Sequence, residues 1–190
     1  MYLFARDWLP EPGGDWKVAV PGGETRALDT AGNLLHVALW HLRRDGVIRL
    51  EQQRAVEPEA AVMLGGESFV HYEVLQLTER AGLEGALLTT ARKLKDDDAL
   101  RHLVLGLNLR DRAPWSTITA LCQSELSALV AERGRLVTHI DIADAAKVEA
   151  LRKPFAQLRA ERRADMDQAP DLHDAVIADC IAAVNWAHSA

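Results

Sequence analysis

Two histidines and a tryptophan lie close together in the first strongly apolar segment of the chain. His36 and Trp40 are four residues apart, which places them on one face of a helix, and His41 lies on the neighbouring face. A metal site would need further ligands at short spacing, and the sequence offers no cysteine or second histidine pair near them. We therefore expect these side chains to pack and to form local hydrogen bonds, without a metal.

A second candidate is the run His139-Ile140-Asp141, which is followed by Asp144. It has the outline of a metal or phosphohydrolase motif but lacks the partner histidines and carboxylates that metal hydrolysis requires. Asp141 and Asp144 are equally well explained as an N-cap and a first-turn acid of the next helix. Two further acidic runs are more typical of solvated loops and helix caps than of cation sites: Lys95-Asp96-Asp97-Asp98 and Asp165-Met166-Asp167.

The sequence lacks the patterns of nucleophilic catalysis and of phosphate-binding loops. The run Gly66-Glu67-Ser68-Phe69-Val70 has no final glycine of a nucleophile elbow. The glycine pairs at 13–14, 22–23 and 65–66 match neither a Walker loop nor a dinucleotide-binding loop, because none joins a strand to a helix with the required spacing. We therefore predict no catalytic, cofactor-binding or metal-binding residue and no cofactor, and we identify no small-molecule substrate.

The basic side chains that could contact an anion or a nucleic acid form two groups. The first surrounds a predicted turn and strand and comprises Arg43, Arg44, Arg49 and Arg54. The second makes a later helix locally positive and comprises Arg152, Lys153, Arg159, Arg162 and Arg163. A winged helix that reads DNA presents cations on its recognition helix and wing in this manner. The competing interpretation, a solvated helical surface, is favoured because the rest of the first helix offers few phosphate contacts.

The elements that must position these residues begin with a helix and a hairpin. The first helix is predicted to start after Asp29 or Thr30 as N-cap and to end at Gly46 in a left-handed conformation. The β-branched run at 47–50 predicts a strand, whose return strand is expected within 60–64. Before this helix, residues 16–20 alternate like a short strand between turns.

Helical periodicity recurs through the rest of the chain. Ser68 is expected to cap a helix with Val70 and Val74 on one face, and Asp97 or Asp98 to cap a later one. Further helices are expected in five regions, the fourth with a new helix or a kink at Pro154: 83–94, 100–107, 114–130, 148–158 and 172–184.

These elements predict a mainly α fold, a helical bundle with one or two short β-hairpins and a winged-helix-like N-terminal half. We expect an irregular N-terminal arm at 1–28, a helical, winged-helix-like core at 29–140, and C-terminal helices at 141–190 that pack on the core.

Composition limits the class of protein. A chain of 190 residues with 48 % hydrophobic residues and a net charge of −6 fits one compact domain and excludes a disordered chain. No apolar run approaches the roughly 20 residues that span a bilayer, and the N-terminus has no apolar segment of a secretory signal. Cys122 and Cys180 lie in apolar helical patterns and are expected to pack as small hydrophobes. We therefore expect a cytoplasmic protein.

The run from Leu28, LDTAGNLLHVALWHLRRDGVIRLEQ, resembles the opening of the Golgi phosphoprotein 3 family and its bacterial relatives. In that family a helix that ends in a glycine turn leads into a short apolar strand. The later run from Thr117 to Leu136, which ends LSALVAERGRL, is similar to the family's second helix. The resemblance implies a mostly helical, non-enzymatic protein that is peripheral to membranes. The stretch Arg26 to Asn33 lacks the tryptophan of the family's lipid site, so no lipid-site residue is transferred.

These observations leave several functions to compare. The function that we expect first is that of a non-enzymatic cytoplasmic adaptor or scaffold. It would act through protein–protein interaction, including self-association into oligomers. The reasons are the many apolar helix faces and the amphipathic C-terminal region with Trp186. The first alternative is a winged-helix DNA-binding regulator with the four arginines 43, 44, 49 and 54 as phosphate contacts. The second is a peripheral protein of anionic membranes, as the resemblance implies. An enzyme is the least favoured.

Overall fold

The computed structural model describes residues 17–19, 24–54, 68–94, 99–107, 117–118, 120–122, 139–141 and 145–189. In chain order its elements are β1 (Lys17–Ala19), α1 (Glu24–Arg44), β2 (Ile48–Arg54), β3 (Ser68–Val74), α2 (Gly82–Leu94), α3 (Leu100–Leu105), β4 (His139–Asp141), α4 (Ala145–Gln168) and α5 (Pro170–Ser189). Residues 117, 118 and 120–122 are also helical. The described part of the chain is mainly α-helical with two small antiparallel sheets, which confirms the predicted fold class.

Helix α1 forms the centre of the hydrophobic core. Every residue from Leu34 to Trp40 is buried, so burial of this helix is not confined to one face. Helix α5 packs so closely on it that a Cβ atom added at Gly32 would lie 2.8 Å from Cγ1 of Ile181. The apolar stripe of α5 therefore packs inside the fold; its buried members are Val176, Cys180, Ala183 and Val184.

The C-terminal end of α1 is a Schellman motif. Gly46 has a φ of 67°, and its N–H donates to the carbonyl oxygen of Arg43 at 3.0 Å. The N–H of Val47 donates to the carbonyl oxygen of Leu42 at 2.9 Å. This pair of bonds satisfies carbonyl groups that the helix end would otherwise leave open. The prediction that Gly46 closes this helix in a left-handed conformation is confirmed.

The N-terminal end of α1 differs from the prediction. The helix begins at Glu24, so Asp29 and Thr30 lie inside it and the prediction that one of them is the N-cap is wrong. Asp and Thr cost only about 0.5 kcal/mol each in a helix interior relative to alanine. Because that cost is small, the helix can extend towards the N-terminus through these two residues.

Strand β3 corrects two predictions about residues 60–81. It pairs with β2 in antiparallel register from Ile48 opposite Val74 to Arg54 opposite Ser68. The return strand is therefore Ser68–Val74 instead of 60–64, which lie outside the described residues, and the helix predicted to begin at Ser68 is wrong. Strand formation is favoured because the seven residues bury Val70 and Tyr72 on one face of a β-branched and aromatic run.

The C-terminal half shows three further differences. Asp141 lies in β4, opposite Lys17 of β1, so it does not cap the next helix; Asp144 lies outside the described residues. Helix α4 continues through Pro154, so no new helix begins there, and the alternative of a kink at Pro154 stays a prediction. The N-cap of α3 is Ala99 and neither of the two predicted aspartates, which lie outside the described residues, as does the predicted helix start at 114–116.

Cys122 and Cys180 are both buried in the hydrophobic core, as predicted. Burial, together with the neighbouring charge of Asp179, raises the pKa of the Cys180 thiol. Within the described segments, no helix combines the length and the apolar character needed to cross a membrane.

Candidate functional site

Three helices bring a group of polar side chains together at the edge of the core. We call this group the histidine network; it comprises His36 and Arg43 of α1, Arg162 and Asp165 of α4, and His173 of α5. The two histidines are almost fully buried, with 1 % and 4 % of their surface exposed. Buried polar groups require hydrogen-bond partners, so the contacts of these two rings decide whether the network stabilises the fold.

The histidine network is a continuous chain of hydrogen bonds. It starts at Arg162, whose Nη2 lies 2.8 Å from Nδ1 of His36. Nε2 of His36 lies 2.7 Å from Nδ1 of His173. Nε2 of His173 lies 2.9 Å from Oδ2 of Asp165, which also accepts a bond of 2.8 Å from Nη1 of Arg43. The rings of the two histidines meet edge to face, at an interplanar angle of 85°.

The arginine at the start of the chain fixes the tautomers of both histidines. A guanidinium can only donate, so Nδ1 of His36 must accept from Arg162 and the ring hydrogen sits on Nε2. That hydrogen is donated to Nδ1 of His173, whose own hydrogen therefore sits on Nε2 and is donated to Asp165. Every bond points towards the carboxylate. Both nitrogens of each ring are used within the fold.

Electrostatics favour the neutral form of His36. Burial lowers the pKa of His36 to about 3, and the positive charge of Arg162 and the contact with His173 act in the same direction. A histidine that stays neutral to this pH and uses both nitrogens internally has no proton to exchange with a substrate at neutral pH.

The histidine network does not form a metal site in this arrangement. Zinc binds each histidine nitrogen at about 2.0–2.1 Å, so two ligand nitrogens cannot approach as closely as those of His36 and His173. Among the described residues, no group of three or more His, Cys, Asp or Glu side chains could hold a metal ion.

A surface pocket of about 360 Å³ adjoins the histidine network between α1 and α4. Its lining residues are Trp40, Arg43, Arg44, Glu161 and Asp165. The guanidinium of Arg44 lies over the indole ring of Trp40, 5.3 Å from its centroid, and 3.7 Å from the carboxylate of Glu161. The pocket therefore combines an aromatic wall with two positive and two negative side chains.

The four arginines predicted as anion contacts have different surroundings. Arg43 is bound to Asp165 in the histidine network, and Arg44 donates through Nε and Nη2 to Asp45. Arg49 pairs with Glu73 at 3.0 Å across the hairpin, while Arg54 is exposed at the end of β2. The structure thus brings Arg43 and Arg44 to one pocket and leaves the other two on the hairpin, and three of the four face a carboxylate.

Asp45 is a charged centre of the turn after α1. Its carboxylate accepts from Arg44 and, at 2.8 Å, from Arg80. Partial burial acts to raise its pKa, but the hydrogen bonds and charges of the two arginines outweigh burial and hold the pKa of Asp45 below its usual range. The pair of arginines fixes this turn against the segment that precedes α2.

Other sequence candidates have structural roles. His41 lies 3.1 Å from Glu84 of α2, and Trp40 is buried. The expectation of local hydrogen bonds for His36 is wrong, because its partners lie 126 and 137 residues away in the chain. Asp165 belongs to α4 and to the histidine network, so its interpretation as a solvated loop residue is also wrong. His173 had no signal in the sequence beyond being a histidine within an apolar stripe.

Comparison of the chain with models of protein families, with curated proteins and with solved structures yields no match. The similarity to the Golgi phosphoprotein 3 family thus stays a prediction from the sequence, and the function is argued from the geometry of the described residues.

Proposed function

We propose that this chain is a non-enzymatic helical adaptor or scaffold domain of the cytoplasm that binds another protein chain, identical or different. The observation that carries the proposal is the exposure of two leucines between β3 and α2: Leu77 is 80 % exposed and Leu75 is 44 % exposed. Exposed leucines on an ordered segment are available for burial by a partner, and each full burial contributes about 2 kcal/mol.

The segment that carries these leucines, residues 75–81, is anchored at both ends; we call it the leucine segment. The N–H groups of Leu75 and Gln76 donate to the carbonyl oxygen of Val47 at 2.8 and 3.2 Å. At the other end Arg80 pairs with Asp45. Because the segment is held on both sides, its apolar side chains are presented without the entropic cost of ordering a free loop on binding.

The histidine network supports a binding role over a catalytic one. The ring nitrogens of both histidines are engaged within the fold, so the network supplies no free general base. The apolar stripe of α5 supports internal packing instead of partner binding, because it is buried against α1. Trp186 of α5 remains 63 % exposed and is a second apolar contact point.

The test is photo-crosslinking from the leucine segment. A benzoylphenylalanine is placed at Leu77 and, as a matched control, at Thr89, an exposed position of α2. Purified protein is irradiated alone and in an extract of its source cells, and products are identified by mass spectrometry. We expect one defined product from position 77, between two copies or with one protein, that position 89 does not give.

Competition completes this experiment. Unlabelled wild-type protein must suppress the product from position 77, whereas Leu77→Ser must suppress it at least tenfold less effectively. Equal products from positions 77 and 89, or equal suppression by both competitors, would contradict the proposal. Sedimentation velocity over a range of concentrations separates self-association from a different partner.

A peripheral membrane role is the second candidate, and the pocket between α1 and α4 favours it. Arg44 presents a guanidinium above the indole of Trp40 at the pocket wall, a combination suited to an anionic head group at an interface. Vesicles with and without an anionic lipid test this role, with Arg44→Gln compared with Arg92→Gln on α2. Binding only to anionic vesicles, lost with Arg44→Gln alone, supports the role; equal binding by both variants removes it.

DNA binding ranks behind these two proposals. The order α1, β2, β3 is that of a helix followed by a wing, which supports it. The carboxylates beside Arg43, Arg44 and Arg49 reduce the positive potential that DNA would require. Fluorescence anisotropy with mixed duplex DNA over a salt series tests it: a steep salt dependence that Arg54→Gln weakens supports it, and absence of binding at low salt excludes it.

A further inference from the structure

Helix α4 has no fully buried side chain among those that the structure describes, and most of them are exposed. Phe155 and Leu158 in the middle of the helix are partly buried against Val37 and Trp40. It is joined to α5 through Ala169, the single non-helical residue between the two helices. The polar contacts of Arg162 and Asp165 within the histidine network, together with the approach of Arg44 to Glu161, also hold α4 on its neighbours.

An added proton is incompatible with this attachment. A protonated His36 carries hydrogen on Nδ1 as well as Nε2, and its Nδ1 hydrogen would point at the Nη2 of Arg162. Two donors and two positive charges would then face each other at a distance of 2.8 Å. This contact has to open before His36 can hold the proton.

We propose that the contact between Arg162 and His36 is an acid-sensitive latch, which holds α4 on α1 and α5 at neutral pH and releases α4 when the pH falls.

The charged groups around His36 favour release of α4 over a local rearrangement that would balance the positive charge of a protonated His36. From α4, Arg162 contacts His36 itself, and Asp165 contacts His173, the partner of His36 on α5. Arg43 of α1 contacts Asp165. From β2 the residue at the small cavity beside the two histidines is the uncharged Leu50. Among the described residues that make up the histidine network, the carboxylate is that of Asp165, which already accepts from Arg43 and His173.

The size of the response follows from the two states of His36. In the docked state burial and Arg162 hold the pKa of His36 at about 3, while in the released state we expect the ordinary value of 6.5. The ratio of released to docked α4 should then rise by roughly 30-fold between about pH 7.5 and about pH 5.

Spin-label distance measurements test the latch. Ala160→Cys on α4 and Thr89→Cys on α2 are both exposed and carry the labels, since the native cysteines are buried. We expect one distance between the labels at neutral pH and a second, growing population at acid pH. An unchanged distance distribution over this range would overturn the proposal.

His36→Gln is the matched variant, because glutamine can accept from Arg162 and donate to His173 without titrating. It should keep α4 docked at both pH values, whereas His102→Gln on α3 should respond like the wild type. A full acid response in His36→Gln would contradict the latch.

If circular dichroism shows that His36→Gln does not fold, Arg162→Gln replaces it. A neutral amide can turn its oxygen towards a protonated His36, so the acid release of α4 should be weaker and shifted to lower pH in this variant, although burial of the ring remains. Release at the same pH as in the wild type would show that the contact between Arg162 and His36 is not the latch.

Discussion

Arg101 and Asp179 form an ion pair in which Nε lies 2.8 Å from Oδ1, and this pair joins α3 to α5. The same carboxylate accepts the backbone N–H of Val70 at 2.9 Å, so it also holds strand β3. The side chain of Asp179 is 4 % exposed, and removing one partner of a buried pair leaves the other uncompensated. One carboxylate thus connects two helices and the hairpin.

Asp179→Ala should therefore lower the free energy of unfolding by about 3 kcal/mol, because the N–H of Val70 and the guanidinium of Arg101 both lose their acceptor. Asp179→Asn, which keeps one acceptor oxygen, should lose less. Urea unfolding followed by circular dichroism measures both. Asp174→Ala, an exposed aspartate of the same helix, serves as the control and should stay within about 0.5 kcal/mol of the wild type. A loss in Asp179→Ala no larger than in this control would contradict the prediction.

The stability of the whole chain should depend on pH through His36. Its pKa is about 3 in the folded protein against 6.5 as the ordinary value, so between these values the unfolded chain binds the proton and the folded protein does not. The free energy of unfolding therefore decreases as the pH falls below 6.5. From about pH 7 to pH 5 we expect a loss of up to about 2 kcal/mol.

Urea midpoints at several pH values give this dependence. His36→Gln removes the titrating ring, so its stability should change less over the same range, and the difference between the two proteins isolates the contribution of His36. Parallel pH profiles for wild type and variant would show that His36 does not carry this proton linkage.

The Schellman motif after α1 gives a third prediction. Gly46 has a φ of 67°, and a Cβ there would meet only Nε2 of Gln76, at 3.8 Å. The penalty of Gly46→Ala is therefore conformational, and we expect a loss of about 1 kcal/mol. Gly46→Asn should lose less, since asparagine tolerates the left-handed region better. Thermal unfolding of both variants checks the order, and an alanine variant as stable as the asparagine variant would contradict it.

Sequence reasoning succeeds here where a signal is local. The buried face of α1 and the glycine that ends it follow from spacing and from the backbone needs of a helix end. Strand β3 shows how the same reasoning fails. Val70 and Val74 are four residues apart, and residues at that spacing share a face in a helix and also in a strand. Val70 and Tyr72 are buried, whereas the residues between and after them, Phe69, His71 and Glu73, are less buried or exposed, and this period of two is that of a strand.

The histidine network lay beyond prediction because its members are far apart in the chain. His36 and His173 are separated by 137 residues, and no spacing rule relates them. The four arginines are visible in the sequence, and so is Asp45 beside Arg44, but the other carboxylate partners come from distant elements: Asp165 and Glu161 of α4 and Glu73 of β3. A cluster of arginines in a sequence shows where positive side chains lie along the chain. The net charge of the surface that they form also depends on the acidic side chains that the fold places beside them.

The crossing of α1 and α5 provides a last prediction. A Cβ at Gly32 would lie 2.8 Å from Cγ1 of Ile181, closer than packed side chains allow. Gly32→Ala gains up to about 1 kcal/mol of helix propensity but loses about 1–3 kcal/mol through overpacking, so we expect a net loss. Asn33→Ala, at the adjacent exposed position, should show no such loss.

A double-mutant cycle with Ile181→Ala identifies the cause of that loss. If the clash with Ile181 is responsible, the second substitution creates room for the new methyl group, and the two effects should couple by at least about 1 kcal/mol in the favourable direction. Additive effects would assign the loss to the backbone at Gly32 instead. Because α5 carries both His173 and Asp179, a displaced crossing should also weaken their contacts with α4 and α3, visible as faster amide exchange in both helices.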